Sequence, residues 1–318
     1  MQEPVLKVGL IGLGNMGRNH LRVLSMLKGF ELAFVADANA QVAARAGEAH
    51  GVPGVVDPTP LFAGVDAVVI CTPTVTHADY IRLASAYVRN IFVEKPLAAT
   101  LEEAREIAAF AKENSLNIQV GFIERFNPAV QSLKTVLDRT ERVISLDFTR
   151  TNKVSSRITD VDVVTDLMIH DIDLALYLNG PAKSVAAHGF GHGSMIDFAS
   201  ALITHENGQF SRIQASRVTD KKIRQIEGTC VDMFVDCDLL RKEILISRQS
   251  EVLEGGSLPY AISAIQETVA VAPQEALLSE LQAFMASIRQ PGSVQVPGVD
   301  AGVEAMQICA QIQAAVQT

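Results

Sequence analysis

The sequence lacks the features of nucleic-acid-binding, membrane and secreted proteins. Among its 318 residues, 36 Asp and Glu outnumber 27 Lys and Arg, the net charge is −9, and no dense basic cluster occurs. A nucleic-acid surface needs such a basic stripe, so nucleic acid is excluded as a partner. No apolar run approaches the roughly 20 residues that cross a bilayer. The N-terminus lacks a basic region and its apolar stretch is cut by glycines, so we predict neither a membrane span nor a signal peptide.

Cysteine is also scarce. The four cysteines are Cys71, Cys230, Cys237 and Cys309. Their spacing fits no zinc or redox motif, which predicts reduced thiols and a cytoplasmic location. His188 and His192 are four residues apart, but the Gly-Phe-Gly between them does not suit a helix, so no metal site is predicted. The length fits two globular domains.

A glycine-rich turn follows the first apolar run, residues 6–11. Its G-x-G-x-x-G spacing is completed by Gly12, Gly14 and Gly17, and a helical pattern comes next. Such a turn lets backbone approach a pyrophosphate, which the amides of the helix N-terminus then bind. The motif therefore predicts a dinucleotide site that includes Asn15 and Met16.

Asp37 ends the second predicted strand, twenty residues after Gly17. A carboxylate at this distance can bind the adenosine ribose hydroxyls and would repel a 2′-phosphate. NAD is therefore predicted in preference to NADP. A turn aspartate beside a glycine-rich loop is the alternative.

Strands and helices continue to alternate up to residue 120. Apolar strands are predicted over 67–71, 91–93 and 117–120, with helices over 78–88 and after a capping box at Thr100 and Glu103. This alternation predicts a doubly wound parallel sheet, whose carboxyl edge binds ligands. The residues predicted at that edge are Thr72, Pro73, Thr74, His77, Glu94 and Lys95.

The order of these motifs resembles the Gfo/Idh/MocA oxidoreductases. The resemblance is carried by the glycine loop, by Cys-Thr-Pro-Thr-x-x-His at 71–77, by Glu-Lys-Pro at 94–96, and by Asp166-x-x-x-His170-x-x-Asp173. It covers nearly the whole chain. It implies an N-terminal NAD-binding Rossmann domain, residues 1–121, and a C-terminal α/β domain, residues 122–318, with a large, mostly antiparallel sheet. One side of that sheet would carry the substrate pocket, and the other would build a homodimer or homotetramer.

The resemblance also implies a catalytic set of Lys95, Asp166 and His170. We predict one helix over 161–178, in which Asp166, His170 and Asp173 share a face. A carboxylate one turn away can keep a histidine basic, as a general base for alcohol oxidation requires. An exposed salt-bridged helix face is the alternative, and in some family members the lysine is described as the base.

Further substrate contacts are predicted in the second half of the chain. The resemblance suggests Arg125 and Asn127, for which a surface arginine and a helix-capping Asn-Pro are the alternative. Arg150 ends an alternating strand as a candidate ligand anchor, and Lys153 and Arg157 lie in a polar loop that could meet phosphates. The complete predicted substrate set is Lys95, Arg125, Asn127, Arg150, Lys153, Arg157, His170 and Asp173.

The rest of the second half is predicted to be mainly strands. They cover 199–204 and 209–216, joined at Asn207-Gly208, then 222–229, 233–236 and 243–247. Residues 251–274 are predicted to be irregular, and helices to cover 275–289 and 300–316.

These patterns together predict an NAD-dependent sugar dehydrogenase. Residues 122–130 and 165–180 look most like members that oxidise UDP-N-acetylhexosamines at the 3-hydroxyl. Free sugars or inositols are the second substrate class. A regulatory NAD-binding protein and an NAD-assisted glycoside hydrolase are the competing functions.

Overall fold

A computed structural model describes residues 4–153, 161–192, 195–248 and 265–316. Its first elements are β1 Leu6–Ile11, α1 Asn15–Leu24, β2 Phe30–Ala36, α2 Ala40–His50, β3 Gly54–Val55, β4 Ala67–Ile70, α3 His77–Ser85, β5 Asn90–Glu94, α4 Leu101–Glu113 and β6 Asn117–Gly121. There follow α5 Pro128–Leu137, β7 Val143–Thr151, α6 Ile169–Asn179, β8 Ala182–His192, β9 Met195–His205, β10 Phe210–Ser216, β11 Ile223–Cys230, β12 Met233–Asp238, β13 Glu243–Arg248, β14 Ile265–Val269, α7 Ala276–Arg289 and α8 Val299–Val316.

The chain divides into two compact units. Unit 1 is Met1–Ile123 with Glu275–Gln307, and unit 2 is Glu124–Gln274 with Ile308–Thr318. No helix among the described residues is both long enough and apolar enough to cross a membrane.

Unit 1 contains a six-stranded parallel sheet in the order β3-β2-β1-β4-β5-β6. Its central strands are buried on both faces, since Val68 and Val69 of β4, like Ile91 and Phe92 of β5, alternate between the faces and are all 0% exposed, because helices cover a parallel sheet on both sides. The predicted doubly wound sheet is confirmed. The carboxyl ends of β1, β4 and β5 lie side by side and carry the glycine loop, Thr72 and Lys95.

The core of unit 1 includes α7, which differs from the predicted division at residue 121. Leu277, Leu281 and Phe284 form one buried stripe in the same cluster as the residues of β1 and α1. The Phe284 ring lies 5.8 Å from that of Phe92 and 6.3 Å from that of Phe30. Residues 275–307 therefore belong with the first sheet, because this stripe completes its core.

Unit 2 contains an eight-stranded sheet in the order β14-β13-β12-β11-β7-β10-β9-β8. Only the β7–β10 pair is parallel, so the predicted mostly antiparallel sheet is confirmed. The Asn207-Gly208 turn joins β9 to β10, with Gly208 at φ +81°. The prediction of irregular structure over 251–274 is wrong for Ile265–Val269, which pairs with β13 as a strand.

The predicted single α-helix over 161–178 is replaced by two segments. Val164–Met168 is π-helical, and α6 follows it directly. The π-helical turn, which is wider than a turn of α-helix, is in contact with α8 through its first residues. Gln313 Nε2 donates to Asp162 Oδ2 at 2.7 Å and to Thr165 Oγ1 at 3.0 Å. Short π segments of this kind are rare and occur frequently at functional sites.

Candidate active site

Three glycines of the loop after β1 have different surroundings. Gly12 has φ +91°, and a Cβ on it would lie 2.6 Å from the carbonyl carbon of Cys71. A Cβ on Gly17 would lie 1.9 Å from the carbonyl oxygen of Gly12. A Cβ on Gly14 would have no atom within 4 Å from the described residues other than its neighbours in the chain. The loop is thus packed against the chain at two glycines and open at the third, where a ligand can approach the backbone.

The N-terminus of α1 is suited to an anion. Gly14 precedes the helix and has no side chain that could cap it, and the first turn, all of it described, contains no acidic residue. The amides of Asn15, Met16 and Gly17 belong to the turn whose N–H groups have no intrahelical acceptor. These donors and the positive end of the helix dipole fit the phosphates of a dinucleotide.

Asp37 organises the loop through both carboxylate oxygens. Oδ2 accepts the Leu13 N–H at 2.8 Å, and Oδ1 accepts the Asn39 N–H at 2.8 Å. The side chain is only half-buried, and each oxygen has a second lone pair. The turn role foreseen as the alternative is therefore present, and the predicted ribose contact is compatible with it.

The strand-end residues after β4 form a hydrogen-bonded turn. Thr76 Oγ1 lies 2.8 Å from Thr72 Oγ1 and donates to the Pro73 carbonyl at 2.8 Å. Thr74 begins this 3₁₀ turn. All three residues of this strand end are at least partly exposed, namely Thr72, Pro73 and Thr74. Their contact with the cofactor stays a prediction.

His77 differs from the prediction of a direct cofactor contact. It is buried, with Nδ1 at 2.8 Å from the Pro96 carbonyl and Nε2 at 3.0 Å from the Thr72 carbonyl. Burial lowers the pKa of His77 more than these two carbonyls raise it. Because both ring nitrogens face backbone, His77 joins the Thr72 loop to the Glu-Lys-Pro loop.

Lys95 is half-buried at the end of β5, in the segment predicted to carry the catalytic lysine. The preceding Glu94 is 8% exposed, and its Oε1 lies 2.7 Å from Nε2 of His20. Sequence reasoning did not single out His20, which contacts the predicted cofactor residue Glu94. The helical spacing of Gly17, His20 and Leu24, which places all three on the buried face of α1, was the signal available.

In unit 2, the predicted residues Asp166 and His170 fall in different helical segments. Asp166 lies in the π segment, whereas His170 is the second residue of α6. Both side chains are half-buried. Asp166 Oδ2 is 3.9 Å from Nη2 of Arg217, an arginine that the sequence did not single out. The orientation of His170 by Asp166 stays a prediction, since the regular four-residue spacing of an α-helix does not apply across this junction.

Arg125 and Asp173, both predicted to bind substrate, bind each other. Arg125 Nε donates to Asp173 Oδ2 at 2.8 Å and Nη2 to Oδ1 at 2.6 Å. The Arg125 guanidinium also lies 4.9 Å from the centre of the Tyr177 ring, on the same helix as Asp173. Asp173 is therefore salt-bridged, as the alternative to a substrate contact foresaw, but the pair is buried and not exposed. The pair fixes α6 beside Arg125.

Arg150 is enclosed by carboxylates and is 2% exposed. Its Nε and Nη2 each donate to Asp171 at 2.8 Å, and Nη1 donates to Glu124 at 2.9 Å. Burial opposes its charge, but the two carboxylates outweigh that effect and raise its pKa. The prediction of a ligand anchor is therefore corrected. Arg150 shares the inner sheet face with Leu146 and Phe148, where α6 supplies its partner.

The two partners of Arg150 respond to burial differently. Burial acts to raise the pKa of Glu124, but Arg150 and Arg224 together lower it below its ordinary value. For Asp171 burial dominates over Arg150, and its pKa is raised. The network therefore balances two cations against two carboxylates inside unit 2.

The remaining predicted substrate residues have local partners. Asn127 Oδ1 accepts the Ala129 N–H at 3.1 Å as the cap of α5, and its Nδ2 donates to Glu124 at 3.1 Å, so the helix-cap alternative applies. Lys153 is exposed and pairs with Asp220 at 2.9 Å. Arg157 lies outside the described residues. A cavity of about 560 Å³ on β11–β13 is lined by none of the predicted site residues.

Comparison with known proteins matches both halves of the chain. Residues 6–122 match the oxidoreductase family with an NAD-binding Rossmann fold, and residues 144–229 match the GFO/IDH/MocA C-terminal domain. The UDP-N-acetylglucosamine 3-dehydrogenase of Acidithiobacillus ferrooxidans is 31% identical over 98% of this chain and 97% of its own. Its crystal structure superposes with a TM-score of 0.87, with 98% of each chain covered.

Two further proteins are similar over different lengths. The scyllo-inositol 2-dehydrogenase (NAD(+)) of Bacillus subtilis is 31% identical over 68% of this chain and 69% of its own. An Agrobacterium radiobacter oxidoreductase, solved with NAD⁺, L-tartaric acid and magnesium, is 18% identical with a TM-score of 0.86 over 99% of this chain and 97% of its own. The latter shows the shared fold.

Proposed function

Because the chain belongs to the Gfo/Idh/MocA oxidoreductase family, we propose that it is an NAD-dependent dehydrogenase of a nucleotide sugar. The favoured substrate is a UDP-N-acetylhexosamine, oxidised at the 3-hydroxyl. The observation that carries this choice is the match to the UDP-N-acetylglucosamine 3-dehydrogenase, which spans 98% of this chain. The match to the inositol enzyme spans 68%, so an inositol or free sugar is the second candidate.

The cofactor proposal is NAD in preference to NADP. The open backbone at Gly14 and the uncapped first turn of α1 fit the pyrophosphate. The half-buried carboxylate of Asp37 would accept ribose hydroxyls and repel a 2′-phosphate. A location in the cytoplasm is proposed with it, in keeping with four free cysteines.

The proposed mechanism assigns one task to each catalytic residue. The glycine loop and Asp37 would hold NAD, whose nicotinamide would supply the acceptor for the hydride of the carbinol carbon. His170 takes the hydroxyl proton as general base, and Asp166 supports its imidazolium form. Lys95 donates a hydrogen bond to the substrate oxygen and stabilises the charge that develops there. The secondary alcohol becomes a ketone, and the two electrons leave with the hydride.

The test is a single assay with NAD and a panel of UDP-N-acetylhexosamines, free hexoses and inositols. We expect NADH absorbance to rise with a UDP-N-acetylhexosamine and a 3-keto product to form. NADH formation only with inositols would move the substrate to the second candidate. Product release without net NADH formation would indicate the hydrolase, and binding without turnover the regulatory protein. A parallel thermal-shift titration that favoured NADP would contradict the role of Asp37.

A homodimer or homotetramer through the eight-stranded sheet is proposed as well. The strand register places Leu202 and Leu245 on one face of the sheet, at the two ends of a row that also contains Arg212, Asp147, Glu227 and Asp236. This face is opposite to Leu146 and Phe148, and both leucines are exposed. Light scattering should report an oligomer that Leu202→Lys and Leu245→Lys reduce to a monomer. A monomeric unaltered protein would contradict this proposal.

A further inference from the structure

His20 and Glu94 form a buried polar pair at an otherwise apolar helix–sheet contact. His20 is 0% exposed and its neighbours Leu21 and Leu24 belong to the hydrophobic core. Its ring also makes an edge contact with Phe92, 5.1 Å between centroids. Replacing both members of a buried hydrogen-bonded pair by apolar residues of the same shape can be nearly neutral or stabilising. Stability alone is therefore a weak reason for a histidine and a glutamate at this place.

The carboxylate of Glu94 connects His20 to the backbone of Lys95. Oε1 lies 2.7 Å from His20 Nε2, and Oε2 accepts the Lys95 N–H at 3.3 Å. Gly121 of the neighbouring strand leaves the space for this carboxylate, since a Cβ there would lie 2.9 Å from Oε2. The Nδ1 atom of His20 has no hydrogen-bond partner among the described residues. A neutral ring that donates from Nε2 satisfies this geometry, because it leaves no N–H without an acceptor.

The same helix that carries His20 begins at the glycine loop. The uncapped first turn of α1 is the phosphate site argued above, and His20 lies on the next turn of α1. A helix is a rigid element, so its position is transmitted along its length. We propose that His20 and Glu94 are positioning residues, which set the location of Lys95 relative to the pyrophosphate end of α1. This inference rests on the proposed catalytic role of Lys95, and it gives Glu94 a function that is separate from substrate contact.

A metal site is the alternative function of His20 and Glu94, with Cys71 as a third ligand. The ligand atoms of His20, Cys71 and Glu94 all lie within 4.8 Å of one another. However, His20 and Glu94 are already at hydrogen-bond distance from each other. The observations favour the hydrogen-bonded pair.

The first test compares His20→Leu, His20→Gln and His20→Asn. The glutamine amide can reach the position of Nε2, and the asparagine amide is too short to do so. We expect His20→Leu and His20→Asn to lower kcat about 10- to 100-fold, as a displaced catalytic group does, while His20→Gln recovers most of it. The Kd for NAD should change less than threefold in all three. Leu24→Ala is the matched control, because it weakens the packing of the same helix without touching Glu94.

The outcomes are distinct. Loss of kcat in Leu24→Ala equal to that in His20→Leu, or unchanged kcat in His20→Asn, would overturn the positioning role. If His20→Leu does not fold, the Gln and Asn variants still decide. Zinc or another metal bound at one equivalent, and lost in His20→Leu, would show the cluster to be a metal site instead.

The second test needs no substrate. Mass spectrometry follows the acylation rate of Lys95 with and without NAD, with Lys112 as an exposed internal reference. We expect NAD to change the Lys95 rate several-fold in the unaltered protein and in His20→Gln, but not in His20→Asn. An equal NAD effect in all three would contradict the inference. This readout is meaningful even if no sugar in the panel is oxidised, so failure of the proposed function is recognised separately.

Discussion

The predicted site residues of the two units have different chemical surroundings. In unit 1 the contacts are made largely to backbone: Gly17 against the Gly12 carbonyl, Asp37 on an amide of the glycine loop, and His77 between two carbonyls. In unit 2 they are made between charged side chains. Arg125 binds Asp173, 48 residues away, and Arg150 binds Asp171, 21 residues away.

This difference explains why the roles of residues in unit 1 were easier to predict than the roles of residues in unit 2. A backbone site restricts the residue type, because only glycine tolerates the contacts of Gly12 and Gly17. A charged site does not, since an arginine has the same sequence signature whether it meets a ligand or a buried carboxylate. The following variants test the comparison in order of decreasing effect.

The largest effect is expected at the catalytic residues, one from each unit. Lys95→Met and His170→Asn should each lower kcat about 10²- to 10⁴-fold, the range for lost proton-transfer or charge-stabilising groups. The Kd for NAD, measured by fluorescence titration, should stay within about threefold. Lys112→Met, a change in an exposed pair with Asp300, is the control and should be silent. Near-normal turnover in both catalytic variants would remove the assignment.

The stability of unit 2 should be sensitive to the loss of one member of its buried charged network. Arg150→Met leaves Asp171 buried without its cation and Glu124 with Arg224 alone, which costs about 3–5 kcal/mol of unfolding free energy. Arg82→Met breaks an exposed pair with Glu106 and should cost about 0–1 kcal/mol. Urea denaturation measures both. Equal losses of unfolding free energy in the two variants would show that the buried network stabilises the fold no more than the exposed pair does.

The glycine loop of unit 1 allows the effect of packing and the effect of ligand binding to be tested with separate variants. Gly17→Ala forces a Cβ against the Gly12 carbonyl and should cost about 1–3 kcal/mol of unfolding free energy as an overpacked contact. Gly14→Ala meets open space, so its thermal stability should be unchanged while its affinity for NAD falls. Calorimetry for stability and for NAD binding distinguishes the two. An unaltered NAD affinity in Gly14→Ala would place the pyrophosphate elsewhere.

The smallest effect concerns pH. Burial lowers the pKa of His77 in the folded state, so on acidification the unfolded chain takes up a proton first. The associated stability is complete above the unfolded pKa, about 6.5, and is lost as pH falls below it towards the folded pKa. His77→Gln should therefore show a shallower decline of unfolding free energy between pH 7.5 and 5.5, by at most about 1.4 kcal/mol per pH unit. His205, whose pKa burial also lowers, is present in both proteins and cancels in the difference. An identical decline in the two proteins would show that His77 is not responsible.

Much of the fold could be predicted because the informative patterns are local. Continuous apolar runs gave the central parallel strands, and the Asn207-Gly208 turn gave a hairpin in the second sheet. The family and its two domains followed from motifs in a fixed order. The role of α7 could not be predicted, because its apolar stripe at Leu277, Leu281 and Phe284 fits any sheet that needs a helix.

The remaining errors concern partners that are distant in sequence. Arg150 was expected to face a ligand, since nothing near it in sequence identifies Asp171 and Glu124 as its partners. The π segment Val164–Met168 has no pattern that distinguishes it from an α-helix. Its packing against α8 is visible only in three dimensions. His20 was within reach, because a polar residue on the buried face of α1 requires a partner.

The assignment of α7 to the first sheet has a consequence for biosynthesis. About 150 residues separate Ile123 from Glu275, the two segments of unit 1. At roughly 5–20 residues per second, a ribosome needs about 8–30 s to make that stretch. Throughout this interval the nascent sheet exposes the surface that Leu277, Leu281 and Phe284 will cover. The N-terminal half of the chain therefore emerges first but cannot complete its core until α7 has been made, and a shortened protein that ends at residue 121 would retain that exposed surface.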